Sequence, residues 1–482
     1  MVQRFAWLLL SALIVGCAAP ARIKVVMPLR PDQEALYKSR ILKPFEKKFK
    51  CVVELKAYDD PGKLPSLLAM GDTVDLVAPP LALTRTLVGR NLITPLDDII
   101  QPKDLAELRK EYYLMDMGTM GGKTWFLPRY VETPVLIYLK SQVAEAVQYW
   151  EIRRDEINRA LARHNGKGLP LGYALEKDPS QWDWFDLFVV GWFWNTKEIQ
   201  GQKRGRVALG PLGSPATPQS LMDNAYQSGA AAEGLLSMND DAVVDMFQWQ
   251  SVLAKEGILN PGLMKGRWTD EQVRDGFKSG ELFLSAATQS EAFLIHGTGT
   301  PEMPGYLVNP EDMGVALMPK GNSLTLDARG NALREGRRSV GTRSYWWAVT
   351  RQSRNPALSY ELAHYLSNTQ NQVQESAAFG MIPVRQDLLG ELGLMFGGGW
   401  TSDVFQTASQ QLVENRMTVA PLVEEFPDVG LNYLAAWQDI CLPGATQKTR
   451  FEDIQKALED RWIPRQRQIL GAKYPARAIS AR

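Results

Sequence analysis

Few side chains in this sequence have the types and spacing that catalysis requires. The three histidines, His164, His296 and His364, stand alone, and none belongs to a His-x-x-Glu-His pattern, so a catalytic zinc site is not expected. No Gly-x-Ser-x-Gly motif marks a nucleophilic serine. The many Asp and Glu residues could supply a glycosidase-like carboxylate pair, but nothing in the sequence marks one. We therefore predict no enzyme, no metal site and no cofactor.

One short motif resembles the end of a phosphate-binding loop. It is Gly122-Lys123-Thr124, but the complete motif requires glycine where Met117 stands. A turn before a strand is the favoured interpretation of these residues.

Composition limits the class of protein further. The chain has 482 residues, 45% of them hydrophobic and 22% charged, which is typical of a globular protein with two large lobes or several domains. The 54 basic and 54 acidic residues give no net charge, which argues against a nucleic-acid binder. The 14 tryptophans suit the flat apolar faces of sugar rings, although tryptophan also fills cores.

The first 16 residues have the order of a lipoprotein signal peptide. Arg4 precedes a mostly apolar run of eleven residues, 5–15, and Gly16 precedes Cys17. A run of this length is too short to span a bilayer, which takes about 20 residues. We predict that Cys17 is acylated and holds the mature chain by lipid outside the cytoplasm. An ordinary signal peptide with an incidental cysteine is the alternative.

Two further cysteines, Cys51 and Cys441, could pair in an exported protein. Each lies in an apolar stretch, so two buried thiols are the favoured interpretation.

Short β-rich runs alternate with helical segments along the chain. We predict strands at 23–27, 51–55, 74–78, 135–139, 169–175, 281–287, 313–318 and 346–350, and helices at 33–50, 143–163, 243–255, 356–367, 434–440 and 451–470. This alternation predicts an α/β fold with parallel strands covered on both faces.

Five segments between about residues 23 and 470 follow one another in a familiar order. They are IKVV…KPFEKKFKCVVEL, KLPSLLAMGDTVDLVAPP…LVGRNLITPLDD, GGKTWFLPRYVETPVLIYLK, YWEIRRDEINRAL…GKGLPLGYAL…WDWF, and MGVALMPKG…GTRSYWWAVTRQSRNPALSYELAHYLSN…FGMIPVRQDL. Their order and spacing resemble the extracellular solute-binding proteins of ABC importers, family 1, the maltose and multiple-sugar class.

The resemblance implies an α/β, two-lobed periplasmic-binding-protein-like fold with a hinge and an interlobe ligand cleft. The implied division is a signal peptide at 1–16, a lipid-anchored tether at 17–22, an N-terminal lobe at 23–130 and 319–368, a C-terminal lobe at 131–318 and 369–470, and a tail at 471–482. The chain would cross between the lobes near 127–135, 316–322 and 368–382, and the lobes would close on the ligand by a hinge motion.

The resemblance implies that several aromatic residues could stack on a sugar. Trp182 and Trp184 lie on the segment that matches the family's aromatic ligand loop, and core packing is the alternative for each. Tyr345 matches an aromatic residue under the ligand, and Tyr433 matches a late aromatic contact. Trp346 follows Tyr345 in a strand, so it faces either the cleft or the core.

Polar candidates come from two places in the sequence. Arg30, Asp32 and Gln33 follow the first strand, where open α/β sheets bind ligands, although each could be a helix cap or a surface group.

The resemblance supplies the other polar candidates. Glu132, with its neighbours Arg129 and Tyr130, matches a ligand-facing position at the first crossing, and Arg343 precedes the second aromatic strand. A solvated hinge residue is the alternative for Glu132.

Two departures from the family pattern argue against maltose-like specificity. Pro79-Pro80-Leu81 replaces a polar and aromatic loop, and no tryptophan stands near Ser290 and Phe293. The arginines among the candidates also fit an anionic or phosphorylated ligand.

The function that these features predict is a substrate-binding lipoprotein of an ABC import system. It would bind a small-molecule solute, a sugar or oligosaccharide, and deliver it to membrane permease subunits. We expect a monomer that is held at the membrane by its N-terminal lipid and has no nucleic-acid partner. A carbohydrate-active hydrolase outside the cytoplasm and a ligand sensor are the alternatives.

Overall fold

The computed structural model describes residues 20–58, 60–70, 73–194, 206–213, 217–297, 305–389, 399–414 and 423–475. The predicted signal peptide and Cys17 lie outside the described residues. No helix among the described residues is long and apolar enough to cross a bilayer.

The strands, in chain order, are β1 (Ala21–Met27), β2 (Cys51–Ala57), β3 (Leu76–Val77), β4 (Thr119–Met120), β5 (Lys123–Thr124), β6 (Leu127–Glu132), β7 (Pro134–Leu139), β8 (Arg206–Ala208), β9 (Leu282–Thr288), β10 (Met313–Ala316) and β11 (Arg343–Val349). They form a five-stranded sheet in the order β2-β1-β3-β11-β6, a four-stranded sheet in the order β10-β7-β9-β8, and the hairpin β4-β5.

The α-helices span Pro31–Leu36, Leu42–Phe49, Leu64–Ala69, Thr84–Gly89, Pro102–Glu111, Lys140–Tyr149, Arg154–Asn165, Trp184–Trp194, Thr217–Gln227, Ala232–Ser237, Asp241–Lys255, Pro261–Gly266, Asp270–Ser279, Gln289–His296, Pro356–Leu366, Thr369–Phe379, Gln386–Leu389, Trp400–Glu414, Phe426–Cys441, Phe451–Ala457 and Ile463–Leu470. Wider π-helical turns at Tyr37–Ile41 and Leu458–Trp462 make the predicted helices near 33–50 and 451–470 continuous. Short 3₁₀ turns span Pro61–Lys63, Leu81–Leu83, Leu96–Asp98, Met115–Gly118, Trp150–Arg153, Pro179–Gln181, Pro310–Asp312 and Gly471–Lys473.

Both large sheets are mixed, whereas the alternation of elements predicted parallel strands. Strand β1 runs parallel to β2 and β3, and β8 runs parallel to β9. Strand β11 is antiparallel to β3 and β6, and β7 is antiparallel to β9 and β10. The sheets contain antiparallel strands because β7 follows β6 directly, without a helix between them, and because β11 enters its sheet from the other lobe.

One predicted strand is wrong. Residues 169–175 form turns and irregular chain. Pro170 has no N–H to give to a strand ladder, and Gly172 has a φ of +71°, which no regular strand contains.

Each large sheet has its own apolar core, so the chain forms two lobes. In the second lobe, the helices Trp184–Trp194 and Asp241–Lys255 are buried over most of their length. Trp249 packs edge-on against Phe185, with 5.1 Å between the ring centroids. Such aromatic pairs contribute beyond the area they bury.

Two segments pack in the other lobe from the one predicted for them. Leu324 and Leu326 belong to the core of the second lobe, although 319–342 was expected in the N-terminal lobe. Ile382 and Val384 belong to the core of the first lobe, although 369–389 was expected in the C-terminal lobe. Short apolar pairs inside polar stretches decide both placements, and they are hard to recognise in the sequence.

Within the described residues, the chain crosses between the lobes at two places. The first is Thr133, which separates β6 from β7 within the predicted range 127–135. The second is 340–342, just before β11.

The cysteines Cys51 and Cys441 are both free and buried, as the sequence favoured. They lie in the cores of different lobes, and burial raises the pKa of both thiols. Both behave as small apolar core residues.

A buried charged group holds the first lobe together beneath β6. The Arg129 guanidinium lies 3.4 Å from the Glu375 carboxylate and donates a hydrogen bond of 3.2 Å to the Tyr37 hydroxyl, which itself donates to Glu375 at 2.5 Å. The guanidinium also stacks between the rings of Tyr130 and Trp347, at 4.7 and 4.9 Å. This group ties the helix Thr369–Phe379 to β6.

We predict that Glu375→Ala lowers the free energy of unfolding by about 3–5 kcal/mol, because it leaves the Arg129 charge buried without a partner. Denaturant unfolding measures the loss. The control is Glu107→Ala, which breaks an exposed pair with Lys110 and should cost no more than about 1 kcal/mol. An equal loss in both variants would contradict the prediction.

Candidate functional site: a cavity between the lobes

A cavity of about 260 Å³ lies between the two lobes. Its walls come from the carboxyl ends of β1, β8 and β9, from the crossing between β6 and β7, and from the start of β11. The helices Thr217–Gln227 and Asp270–Ser279 complete it from the second lobe. At the carboxyl ends of strands, side chains and helix N-termini are positioned to contact a ligand.

Two stacked tyrosines form one wall. Tyr130 on β6 pairs in register with Tyr345 on β11, and their rings lie 4.9 Å apart at 29°. Tyr130 is buried, and Tyr345 is partly exposed on the cavity side. Both therefore line the cavity, and Tyr345 presents an aromatic plane to it.

Glu132 lies at the end of β6 and faces the cavity because it shares a strand face with Tyr130. The Ser290 hydroxyl donates a hydrogen bond to Glu132 Oε1, and Ser290 is also 3.0 Å from the Thr288 hydroxyl. Burial raises the pKa of Glu132, while the hydrogen bond from Ser290 and the charge of Arg343 oppose this rise.

Arg343 reaches from the first lobe to the second. Its Nη2 donates a hydrogen bond of 2.7 Å to the Ser220 hydroxyl and lies 3.8 Å from Asp223 Oδ2. Asp223 is 2% exposed, and its Oδ1 accepts from the Gly341 N–H at 3.0 Å. Its Oδ2 accepts no hydrogen bond from any residue in the described part of the chain. Burial raises the pKa of Asp223 to about 6, although Arg343 lowers it.

The three predicted residues that follow β1, Arg30, Asp32 and Gln33, interact with one another at the edge of the cavity. Arg30 and Gln33 line it, and Arg30 makes a two-pronged ion pair with Asp32, with both N–O distances 3.2 Å. The Gln33 side chain accepts from the Arg30 N–H at 3.0 Å and so caps the helix Pro31–Leu36. Asp32 neutralises Arg30 from outside the cavity wall.

Gln289 fixes the crossing from which the cavity opens. This buried side chain accepts a hydrogen bond of 2.8 Å from the Thr133 N–H. Its amide donates to the carbonyls of Val131, at 3.4 Å, and Gly380, at 3.2 Å. One residue of the second lobe therefore holds two segments of the first.

Two predicted aromatic residues lie in the core of the second lobe and do not line the cavity. Trp182 is fully buried, and its indole N–H donates to the Glu176 carbonyl at 2.8 Å. Trp184 packs edge-on against Trp249, with 5.8 Å between centroids. Neither ring is available to a ligand in this arrangement.

Three further predicted residues are also used in packing. The Tyr433 hydroxyl donates to the Leu235 carbonyl at 2.7 Å. Trp346 is fully buried, with its indole N–H on the Ser344 hydroxyl at 3.0 Å. Arg129 points away from the cavity into the buried ion pair, because it alternates with Tyr130 along β6.

Three carboxylates that line the cavity were not predicted: Asp223, Asp270 and Glu291. Glu291 lies three residues after the end of β9. The rule that open α/β sheets bind ligands at the ends of strands, which was applied to the first strand, would also have identified it. Asp270 begins a helix whose cap, Thr269, is a recognisable start signal. Asp223 lies inside a helix and carries no comparable signal.

Within the described parts of the chain, no group of three His, Cys, Asp or Glu side chains could hold a metal ion. The cavity instead offers an aromatic plane, hydroxyls, carboxylates and guanidinium groups. These groups can bind a hydroxyl-rich solute by stacking and hydrogen bonding.

Comparison with known proteins gives a family and a fold. Residues 40–393 match the family of bacterial extracellular solute-binding proteins. No curated protein sequence matches this chain. The family match agrees with the resemblance in the sequence.

Solved structures of solute-binding proteins resemble most of the chain. An ABC transporter solute-binding protein of Thermotoga lettingae, bound with α-D-tagatose, has 15% identity and a TM-score of 0.65 over 94% of this chain and 100% of its own. The maltotriose-binding protein of Thermus thermophilus, bound with maltotriose, has 15% identity and a TM-score of 0.65 over 93% and 100%. A solute-binding protein of Agrobacterium radiobacter, in complex with ribitol, has 14% identity and a TM-score of 0.65 over 93% and 98%. At these identities the likeness confirms the two-lobed α/β fold.

We predict that the Asp223 carboxyl makes stability depend on pH. Its pKa is raised to about 6 in the folded chain, so its stabilising contribution is complete below about pH 4 and is lost as the pH rises through 6. Asp223→Asn cannot ionise, so its free energy of unfolding should rise relative to the wild type by on the order of 2–3 kcal/mol between pH 4 and 7.

Denaturant unfolding at pH 4, 5, 6 and 7 without ligand tests this dependence. Asp403→Asn, which removes an exposed carboxylate outside the cavity, is the control for the loss of one charge. A constant difference between Asp223→Asn and the wild type across this range would contradict the prediction.

Proposed function

Because this chain belongs to the bacterial extracellular solute-binding proteins, we propose that it captures a sugar or polyol between its lobes for import. The observation that carries this proposal is the cavity, where Tyr345 offers an aromatic plane and carboxylates from both lobes offer acceptors for hydroxyl groups. Sugars present apolar ring faces and many O–H donors, and they need both kinds of partner.

The size of the cavity favours a small solute. A volume of about 260 Å³ lies just below the range of about 300–1,000 Å³ for typical ligand pockets. The lobes also touch beyond the cavity, where the Thr86 hydroxyl donates to the Glu424 carbonyl at 2.8 Å. A monosaccharide or a short polyol suits this closed arrangement better than an oligosaccharide does.

Capture works by a shift between open and closed arrangements. A solute that contacts Tyr345 in one lobe and Ser220 in the other binds the closed form better than the open form, so it increases the closed population. The closed form then docks on the membrane subunits of an ABC permease. The crossings at Thr133 and at 340–342 act as the hinge.

Family membership places the protein outside the cytoplasm. Cys17, as the acylated first residue of the mature chain, would hold it at the membrane as a monomer. The predicted tether, 17–22, overlaps the start of β1 in the first lobe, because this strand begins at Ala21.

We predict that a matching sugar or polyol raises the melting temperature of the chain that begins at Ala18. At a hundredfold excess over Kd the ligand adds about 2.7 kcal/mol to the free energy of unfolding. The panel contains mono-, di- and oligosaccharides, sugar phosphates and polyols, among them D-tagatose and ribitol. The absence of any shift would contradict the proposed sugar function.

Tyr345→Ala locates the ligand once one is found. Loss of the aromatic plane should weaken binding about tenfold, measured by titration calorimetry. The control is Tyr149→Ala, which removes an exposed tyrosine remote from the cavity and should leave Kd unchanged.

A separate prediction concerns the anchor. Cys17→Ser should abolish incorporation of labelled fatty acid and release the protein from the membrane fraction of expressing bacteria, because the thiol is the acylated group. Cys51→Ser is the control, since that thiol is buried in the first lobe. Continued membrane retention and labelling of Cys17→Ser would contradict lipid anchoring.

A further inference from the structure

Acidic groups outnumber basic groups around the cavity. Four carboxylates line it, from Glu132, Asp223, Asp270 and Glu291, together with the two guanidinium groups of Arg30 and Arg343. Among the residues that the structure describes, no lysine or histidine lines it. Counting the ion-pair partners just behind the wall, Asp32 and Arg274, five carboxyl groups outnumber three guanidinium groups by two among the described residues.

Two of the three guanidinium groups are already neutralised. Arg30 is paired with Asp32 at 3.2 Å, and Arg274 is paired with Glu291 at 2.8 Å. Only Arg343 remains to balance Glu132, Asp223 and Asp270. Among the described residues, no cation within 4.0 Å forms an ion pair with Glu132 or Asp270.

Arg343 does not complete the bonding of Asp223. Its Nη2 donates to Ser220 at 2.7 Å and stays 3.8 Å from Asp223 Oδ2, beyond hydrogen-bonding distance. Asp223 is only 2% exposed, and no described residue donates a hydrogen bond to its Oδ2. A buried carboxylate oxygen without a donor is costly and is rarely left so in a native structure.

We propose that the solute carries a positively charged amine beside its hydroxyl groups, as an amino sugar or an amine-bearing polyol does. An ammonium group supplies three donors and one positive charge, which complete Asp223 Oδ2 and reduce the acidic excess shared with Glu132. A neutral sugar supplies donors but leaves the charge excess, and a phosphorylated or acidic sugar increases it. This inference rests on the proposed function, because it names the class of solute for the same cavity.

Matched pairs of ligands test the inference directly. The pairs are D-glucosamine with D-glucose, D-galactosamine with D-galactose, and D-mannosamine with D-mannose, titrated by calorimetry at pH 6.5 in EDTA so that no metal ion supplies the charge. In the pair that binds most tightly, the amino sugar should bind at least about tenfold more tightly than the neutral sugar, because a charge-assisted hydrogen bond contributes that much. Added salt should reduce this preference.

Isosteric variants locate the effect. Asp223→Asn and Glu132→Gln keep the shape of the wall and should each reduce the amine preference at least about fivefold, whereas the exposed control Asp403→Asn should retain it. Melting curves confirm that each variant is folded. An amine preference that survives in both cavity variants would overturn the assignment to these carboxylates.

The failures are distinguishable. If a neutral sugar binds as tightly as its amine partner in every pair, the amine inference is overturned and the capture of sugars stands. If no compound of either series binds, the amine inference is overturned, and the proposed sugar function is overturned with it only if the wider panel of sugars and polyols also gives no shift in melting temperature.

Discussion

The extended run from β6 into β7 is the constraint on which the cavity depends. A single residue, Thr133, separates strands that belong to different sheets, so the two lobes meet where this run passes between them. Gln289 holds the crossing by three hydrogen bonds to Thr133, Val131 and Gly380. Because β6 is fixed by its sheet up to Glu132, Tyr130 and Glu132 enter the cavity with little freedom.

Strand alternation separates two kinds of charge on β6. Arg129 faces inward, where Glu375 and Tyr37 satisfy it, and it stabilises the lobe without any ligand. Glu132 faces the cavity, where a hydroxyl is its hydrogen-bond partner. The two charged residues on β6 therefore have different roles: Arg129 stabilises the fold, and Glu132 is placed to bind a solute. The distinction follows from the face of the strand and not from the residue type.

The sequence predicts the architecture better than the site, for a physical reason. Strand periodicity and the order of motifs locate β1, β2 and β7, and the strand-end rule leads to Arg30 and Gln33. Tryptophan can stack on a sugar or pack in an apolar core. The residue type therefore does not predict which of these environments Trp182 and Trp184 occupy. Asp223 is missed because burial of a helical carboxylate depends on contacts with Arg343 and Gly341, more than a hundred residues away.

The unsatisfied oxygen of Asp223 also bears on closure. A buried carboxylate oxygen without a donor costs free energy only while the lobes are together, because opening the cleft returns it to water. A solute that pairs with this oxygen removes that cost from the closed form and changes little in the open form. Such a difference in affinity between two arrangements is what any ligand needs in order to drive closure. The same side chain would then select the solute and couple its binding to the hinge.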